Sequence, residues 1–167
     1  MKFEEPSWVP VDSRNALPSA IADQIVAGEL VTADANAWGF FKLGNDKVLV
    51  VGYADLGLRP TAILSQNRLL IGIGEVLASF DAHTFEKKFS YQMPTVFHEF
   101  VSVKSLTIAR DETGFVGISA DGQECWLFLA DGPIKTFVIE SGRIVGETID
   151  NEPFAFVIPR DSLHRKS

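Results

Sequence analysis

Apolar and alternating runs fill the chain from Ala37 onward, and turn-forming residues separate them. Clusters of Gly, Asn, Asp and Pro interrupt the runs, and these residues make turns because they accept positive φ angles or cap the backbone locally. The strongest hairpin predictions are Asp121-Gly122 and Ser141-Gly142. Short strands at this spacing predict a mostly β fold, an antiparallel meander. The predicted strands are Trp38–Leu43, Lys47–Tyr53, Thr61–Leu64, Leu69–Ile73, Val76–Phe80, Glu86–Tyr91, Val96–Val101, Leu106–Ala109, Phe115–Ser119, Cys125–Leu129, Thr136–Ile139, Ile144–Thr148 and Phe154–Ile158.

The N-terminal segment, residues 1–36, has a different pattern. Pro18 stands at an early helical position, and Ile21, Ile25 and Val26 then recur at helical spacing until Gly28. This spacing predicts one amphipathic α-helix over about residues 18–28. We expect its apolar stripe to pack on the sheet.

Parts of the β region repeat along the chain. Val76–Phe89 and Val116–Trp126 each read as a strand, a turn opened by Asp and a second strand entered by an aromatic residue, with Asp81 and Asp121 forty positions apart. Val96–Val101 has a counterpart in Ile134–Ile139, and residues 105–108 have one in 142–145. A period of this size indicates stacked supersecondary units. About three units are too few to close a ring, so we expect an open or sandwich-like array of blade-like repeats and no closed propeller.

The two Asp-containing stretches resemble the repeat of quinoprotein-type β-propellers, in which such a turn ends in an aromatic residue that packs between blades. Phe85 stands where that repeat usually has Gly, and Phe89 replaces its Trp. The resemblance implies blade-like sheets in a short array. It does not imply that the chain binds a quinone.

Composition and charge restrict the class of protein. The 167 residues are 46% hydrophobic and 22% charged, which predicts a single domain with three regions: the N-terminal segment 1–36, a β-repeat region 37–158 and a basic tail 159–167. The start of the chain has no signal-peptide pattern and no run is long enough to span a membrane, so we expect a cytoplasmic protein without membrane contact. The net charge of −7 disfavours direct binding to nucleic acid and suits a basic protein partner. A charge of this size is also ordinary for the solubility of a chain of this length.

No candidate catalytic group is convincing in the sequence. Cys125 and His98 fit a nucleophile and its base, yet each lies in an apolar strand, where a structural role is the more frequent one. The carboxylates of Asp111-Glu112 and Asp150-Asn151-Glu152 lie in turns, where solvated acids are routine. The sequence has no His or Cys pairs at the spacing of transition-metal ligands, so we expect no metal site. For the reasons above we also expect no catalytic residue, and we expect no cofactor.

An acidic band in the last repeat is the candidate partner-binding site, although a solvated sheet face is the simpler interpretation of each of its residues. Alternating strands can present several of these side chains on one surface. The band consists of Asp131, Glu140, Glu147, Asp150 and Glu152.

The small acidic chain, with its N-terminal appendage and its Gly122–Trp126 and Asp131–Ile134 stretches, also resembles bacterial immunity proteins of contact-dependent or polymorphic toxin systems. That resemblance implies a non-enzymatic protein that neutralises a basic toxin domain by covering its active or substrate-binding surface. Two alternatives stay open: a structural or scaffold module that associates through edge strands, and a carboxylate-dependent enzyme. The sequence leaves the oligomeric state open.

Overall fold

The computed structural model describes residues 6–65, 67–103 and 106–159. Contacts within the chain divide it into two compact units, Met1–Gln92 and Met93–Ser167. The prediction of a single domain is not tested by this division and stays a prediction. The predicted basic tail, apart from Pro159, lies outside the described residues. Within them, no helix has the length and the apolar composition to cross a membrane.

The first unit contains two four-stranded sheets. Sheet A has the strand order β1-β3-β4-β2, and sheet B has the order β5-β6-β7-β8. The strands are β1 (Ser7–Val11), β2 (Ile25–Val31), β3 (Ala37–Gly44), β4 (Lys47–Tyr53), β5 (Thr61–Ser65), β6 (Arg68–Ile73), β7 (Val76–Asp81) and β8 (Lys87–Gln92).

The second unit contains sheet C, with the order β12-β11-β10-β9, and the three-stranded sheet D, with the order β13-β14-β15. Within the described residues, each of the four sheets ends in two edge strands and none closes on itself. The strands are β9 (Phe97–Val103), β10 (Thr107–Asp111), β11 (Gly114–Ile118), β12 (Glu124–Leu129), β13 (Ile134–Glu140), β14 (Arg143–Thr148) and β15 (Pro153–Val157).

The mostly β prediction is confirmed, and each of the thirteen predicted strands is present with ends displaced by at most two residues. Both hairpin predictions are also confirmed. Ser141 and Gly142 have φ angles of 48° and 76° and join the paired residues Glu140 and Arg143, which is the two-residue turn that matches strand twist.

The predicted helix over residues 18–28 is wrong. The α-helix α1 covers only Leu17–Ala20, after a 3-10 turn at Arg14–Ala16. Ile25 and Val26, which the pattern places on a buried helix face, belong to β2, where they pair in parallel with β4 and are 61% and 45% exposed. β-branched residues fit an extended backbone well, and the Ile25 N–H donates to Asp46 O at 2.7 Å, which anchors β2 to sheet A.

Each unit has its own apolar core between two sheets. In the first unit, residues of sheet A such as Phe41 and Leu49 pack with residues of sheet B such as Ile71 and Phe80. In the second unit, the core is aromatic: the Phe115 ring centroid lies 5.0 Å from that of Phe137. Rings from both sheets C and D join this cluster, namely Phe115, Trp126, Phe128, Phe137, Phe154 and Phe156.

The predicted repeat corresponds to the strand order of the sheets. β5, β9 and β13 are first strands, β6, β10 and β14 second strands, β7, β11 and β15 third strands, and β8 and β12 fourth strands. Four-stranded antiparallel meanders of this kind form the blades of β-propellers. Sheets B, C and D are therefore propeller-blade-like, with sheet D ending at its third strand in the described part of the chain.

The equivalence of Asp81 and Asp121 is wrong in detail. Asp81 ends β7 and its Oδ1 accepts hydrogen bonds from the N–H groups of His83 (2.9 Å) and Thr84 (2.8 Å). The residue that follows β11 is Ser119, whose Oγ accepts the Gln123 N–H at 3.0 Å. Asp121 lies two residues further along. The two turns thus use different side-chain caps in hairpins that are equivalent in the sheets.

Candidate functional site

Four of the five predicted partner-binding acids lie near one end of sheet D, which we call the acidic end. Asp131 precedes β13, and Glu147 is the penultimate residue of β14. Asp150 and Glu152 lie in the connection from β14 to β15. Asp131 and Glu152 border one groove of about 220 Å³. A Cβ atom built on Gly132 would lie 3.9 Å from Asp150 Oδ2, so this carboxylate also faces the connection before β13.

Lys135 partly compensates the acidic end. Its Nζ lies 3.0 Å from Glu147 Oε1 and donates to Asn151 Oδ1 at 2.8 Å. An ion pair this exposed contributes little to stability, but together with the Asn151 bond it holds the ammonium group between the end of β14 and the β14–β15 connection. Lys135 pairs with one of the four carboxylates, so the acidic end keeps a net negative charge.

Glu140 is not brought together with the other acids. It ends β13 at the opposite end of sheet D and pairs in register with Arg143. Arg143 and Glu147 are four positions apart on β14, which is roughly 13 Å along a strand. A partner that contacts both Glu140 and Glu147 must therefore cover the length of the sheet.

The outer face of sheet D carries an apolar strip that sequence reasoning missed. Val138 and Val157 are 56% and 64% exposed, and Val145 lies between their strands, directly opposite Val138 and Ala155. A shallow groove of about 340 Å³ crosses this face beside Glu147 and Pro153. The signal in the sequence is that β13, β14 and β15 have apolar residues at both odd-numbered and even-numbered positions. Since alternate residues of a strand point to opposite faces of the sheet, one face packs on the core and the other face is also apolar.

The edge of sheet D at β15 is open in the described part of the chain. Thr148 N–H donates to Glu152 O (3.0 Å) and Ile158 N–H to Gly142 O (2.9 Å). Pairing in antiparallel strands alternates, so the even-numbered residues of β15 bond to β14. The odd-numbered residues point their backbone groups away from β14: Pro153, Ala155 and Val157.

The carboxylate of Asp111 is committed to the backbone. It is fully buried, its Oδ1 accepts the N–H groups of Thr113 (2.9 Å) and Gly114 (2.7 Å), and its Oδ2 accepts that of Thr95 (3.1 Å). Asp111 therefore holds the β10–β11 turn in place, and this geometry fits a structural role.

Cys125 and His98 lie on β12 and β9, the two edge strands of sheet C, roughly 14 Å apart at ordinary strand spacing. Cys125 packs against the aromatic core. The His98 Nδ1 lies 3.1 Å from an Arg110 guanidinium nitrogen, and burial, together with the charge of Arg110, lowers the pKa of His98. In the described parts of the chain, no three His, Cys, Asp or Glu side chains gather closely enough to hold a metal ion.

Comparison with known proteins gives a likeness of fold. No family model matches the chain, and no curated protein matches it. Two computationally designed proteins are similar in structure at a TM-score of 0.50 and 9% identity: Ika4, with 78% of this chain and 90% of that chain covered, and Ika8, with 77% and 45%. BamB from Moraxella catarrhalis gives a TM-score of 0.49 at 10% identity, with 81% of this chain and 44% of BamB covered. At these identities the likeness concerns the fold alone.

Proposed function

We propose that this chain is a non-enzymatic protein-binding module and that sheet D is its binding surface. The observation that carries the proposal is the apolar strip beside the acidic end, in which Val138 and Val157 are exposed and Val145 is half-buried. An apolar centre with a charged rim is the arrangement of protein interfaces. The carboxylates border shallow grooves, which suit contact with a macromolecule better than conversion of a small substrate.

The acidic end and the apolar strip have different roles in this proposal. Carboxylates at a rim raise the association rate of a basic partner, because they steer its approach. Burial of Val138 and Val157 then slows dissociation, since their apolar surface leaves water only in the complex. Lys135 limits this attraction and would favour a partner that offers it a carboxylate or a carbonyl group.

Among binding modules we propose an immunity protein. The partner would be a basic toxin domain, and sheet D would neutralise it by covering its active or substrate-binding surface. The acidic composition, with a net charge of −7, and the resemblance to immunity proteins support this role. Occlusion requires no chemistry from the chain itself.

The test uses charge reversal at the acidic end. If the neighbouring gene encodes a toxin, we expect Glu147→Lys with Asp150→Lys to lower the association rate with that toxin by about tenfold at low salt, and to flatten the salt dependence of the rate. Surface plasmon resonance at several NaCl concentrations measures both quantities. The matched control is Asp12→Lys with Asp34→Lys, which changes the net charge equally at exposed acids of the first unit.

An equal loss of association rate in both double variants would show that only the net charge matters. If neither double variant lowers the association rate, the acidic end has no electrostatic role in binding. If the toxin keeps its activity while bound, the immunity proposal is wrong, but the proposal of a protein-binding module is not affected. If the neighbouring gene encodes no toxin that binds, the immunity proposal fails.

A second candidate is a scaffold module that associates through edge strands, and the open edge of β15 favours it. Third strands β7 and β11 have fourth-strand partners, whereas β15 has none in the described residues. Pro153 offers no N–H to an added strand, so only a short stretch around Ala155 and Val157 can pair. Size-exclusion chromatography separates the candidates, because a scaffold self-assembles while an immunity protein elutes as a monomer that pairs one to one with its toxin.

A further inference from the structure

A partly enclosed pocket of about 290 Å³ lies in the first unit, and all its lining residues belong to that unit. Part of its lining comes from two hairpins: Gly44 ends β3, Asn45 lies in the β3–β4 turn, and His83 lies in the β7–β8 turn. Its remaining lining is mainly apolar and comes from both sheets of the unit: Leu43, Lys47, Leu64, Ala82 and Phe85.

The walls fit a small apolar group. Leu43 and Leu64 approach from sheets A and B, and both pack on the core of the unit. The volume is roughly twice that of the ~150 Å³ cavity that accommodates benzene. It lies near the lower limit of the volumes typical of ligand sites.

Phe85 is held in an unusual backbone conformation at this pocket. Its φ angle is 57°, a region that costs a bulky residue of order 1–3 kcal/mol. Gly at this position would have no such cost. Phe85 instead supplies an aromatic wall to the pocket and packs on the core of the unit.

Lys47 gives the pocket a cationic group. Its ammonium nitrogen lies 5.2 Å from the centroid of the Phe85 ring, and among the described residues it has no carboxylate within salt-bridge distance. In an otherwise acidic chain this leaves a positive charge beside an apolar wall. Such a pair matches an anion with an apolar body.

We propose that this pocket binds a small aliphatic or aromatic monocarboxylate. The carboxylate would accept a charge-assisted hydrogen bond from Lys47, and the apolar body would lie between Leu43, Leu64 and Phe85. Asn45 also lines the pocket and adds a polar side chain to it. The site is independent of sheet D, so it stands or fails separately from the proposed function.

The probe is octanoate, with 1-octanol as the uncharged control ligand. We expect octanoate to bind the full chain and to shift the methyl resonances of Leu43 and Leu64 and the amide of Ala82 in NMR titration. Lys47→Met keeps an unbranched side chain that is one atom shorter and removes its charge, and we expect it to weaken octanoate binding about tenfold. Octanol should bind wild type and Lys47→Met equally.

The matched control is Lys42→Met, which removes an exposed lysine of β3 that does not line the pocket, and we expect unchanged octanoate binding. A second variant, Phe85→Gly, relieves the backbone and removes the wall, so it should weaken octanoate and octanol alike. Absence of octanoate binding at millimolar concentration would overturn the proposal. Equal weakening by Lys47→Met and Lys42→Met, or shifts confined to residues outside the pocket, would overturn it as well.

Discussion

Asp111 shows how a candidate catalytic carboxylate can be fully used by the backbone. Three N–H donors converge on it at 2.7 to 3.1 Å, and two of them belong to the turn that the residue itself opens. A buried carboxylate is tolerated because such charge-assisted bonds replace its lost hydration. The sequence shows an acid in a turn but does not show that Thr95 supplies a third donor from outside that turn.

We expect Asp111→Ala to lower the free energy of unfolding by about 2–4 kcal/mol, because three buried or half-buried N–H groups lose their acceptor. Chemical denaturation followed by circular dichroism measures the change. Glu112→Ala, at the exposed neighbour in the same turn, should stay within about 0.5 kcal/mol. Similar losses in both variants would contradict the role assigned to Asp111.

The elements could be predicted where each strand pairs with its neighbour in sequence. From β3 to β15, turn residues separate the strands of an almost regular meander. The local pattern of apolar runs and turn residues is therefore enough to place every one of these strands. β2 fails this condition because it pairs in parallel with β4, past the intervening β3. Its Ile25 and Val26 then match a helical period by coincidence.

The candidate sites were less accessible to sequence reasoning than the strands. The acids of the last repeat are visible in the sequence, whereas the apolar strip beside them becomes evident only when the register places Val138 opposite Val145. The pocket in the first unit joins Lys47 to Phe85, which are far apart in sequence. The periodicity of apolar residues along the chain does not show that residues so distant in sequence line the same pocket.

Glycines that face aromatic rings form a second, unpredicted regularity of the strands. Gly117 lies opposite Trp126 and Gly52 opposite Trp38 in their sheets. A Cβ atom on Gly117 would come within 2.3 Å of the Trp126 ring. The aromatic ring therefore occupies the space that a side chain at the glycine would fill.

We expect Gly117→Ala to lower the free energy of unfolding by about 1–3 kcal/mol, because the added methyl group forces the Trp126 ring out of the core of the second unit. Urea titration followed by tryptophan fluorescence in a Trp8→Phe, Trp38→Phe background, where Trp126 is the remaining tryptophan, reports both the stability and the environment of the ring. Gly132→Ala is the control, since a Cβ atom there meets nothing closer than 3.9 Å. If the two variants unfold at the same urea concentration, the packing argument for Gly117 is wrong.

At the scale of the whole molecule, the question is whether two separate cores unfold together. Residues 93–167 form a unit of about 75 residues, and a single core of that size rarely supplies more than about 3–5 kcal/mol. The length and composition of the chain predict one domain. The three tryptophans can test this, because Trp8 packs on the core of the first unit and Trp126 on that of the second.

We expect one cooperative transition in urea. In Trp126→Phe, fluorescence reports only Trp8 and Trp38 of the first unit, while circular dichroism reports strands of both units. In Trp8→Phe with Trp38→Phe, fluorescence reports only the second unit. If the chain is one domain, fluorescence and circular dichroism give the same midpoint within each variant, although midpoints differ between variants. Fluorescence that leads circular dichroism in one variant and trails it in the other would show two independently unfolding domains, because each tryptophan set would then follow its own core.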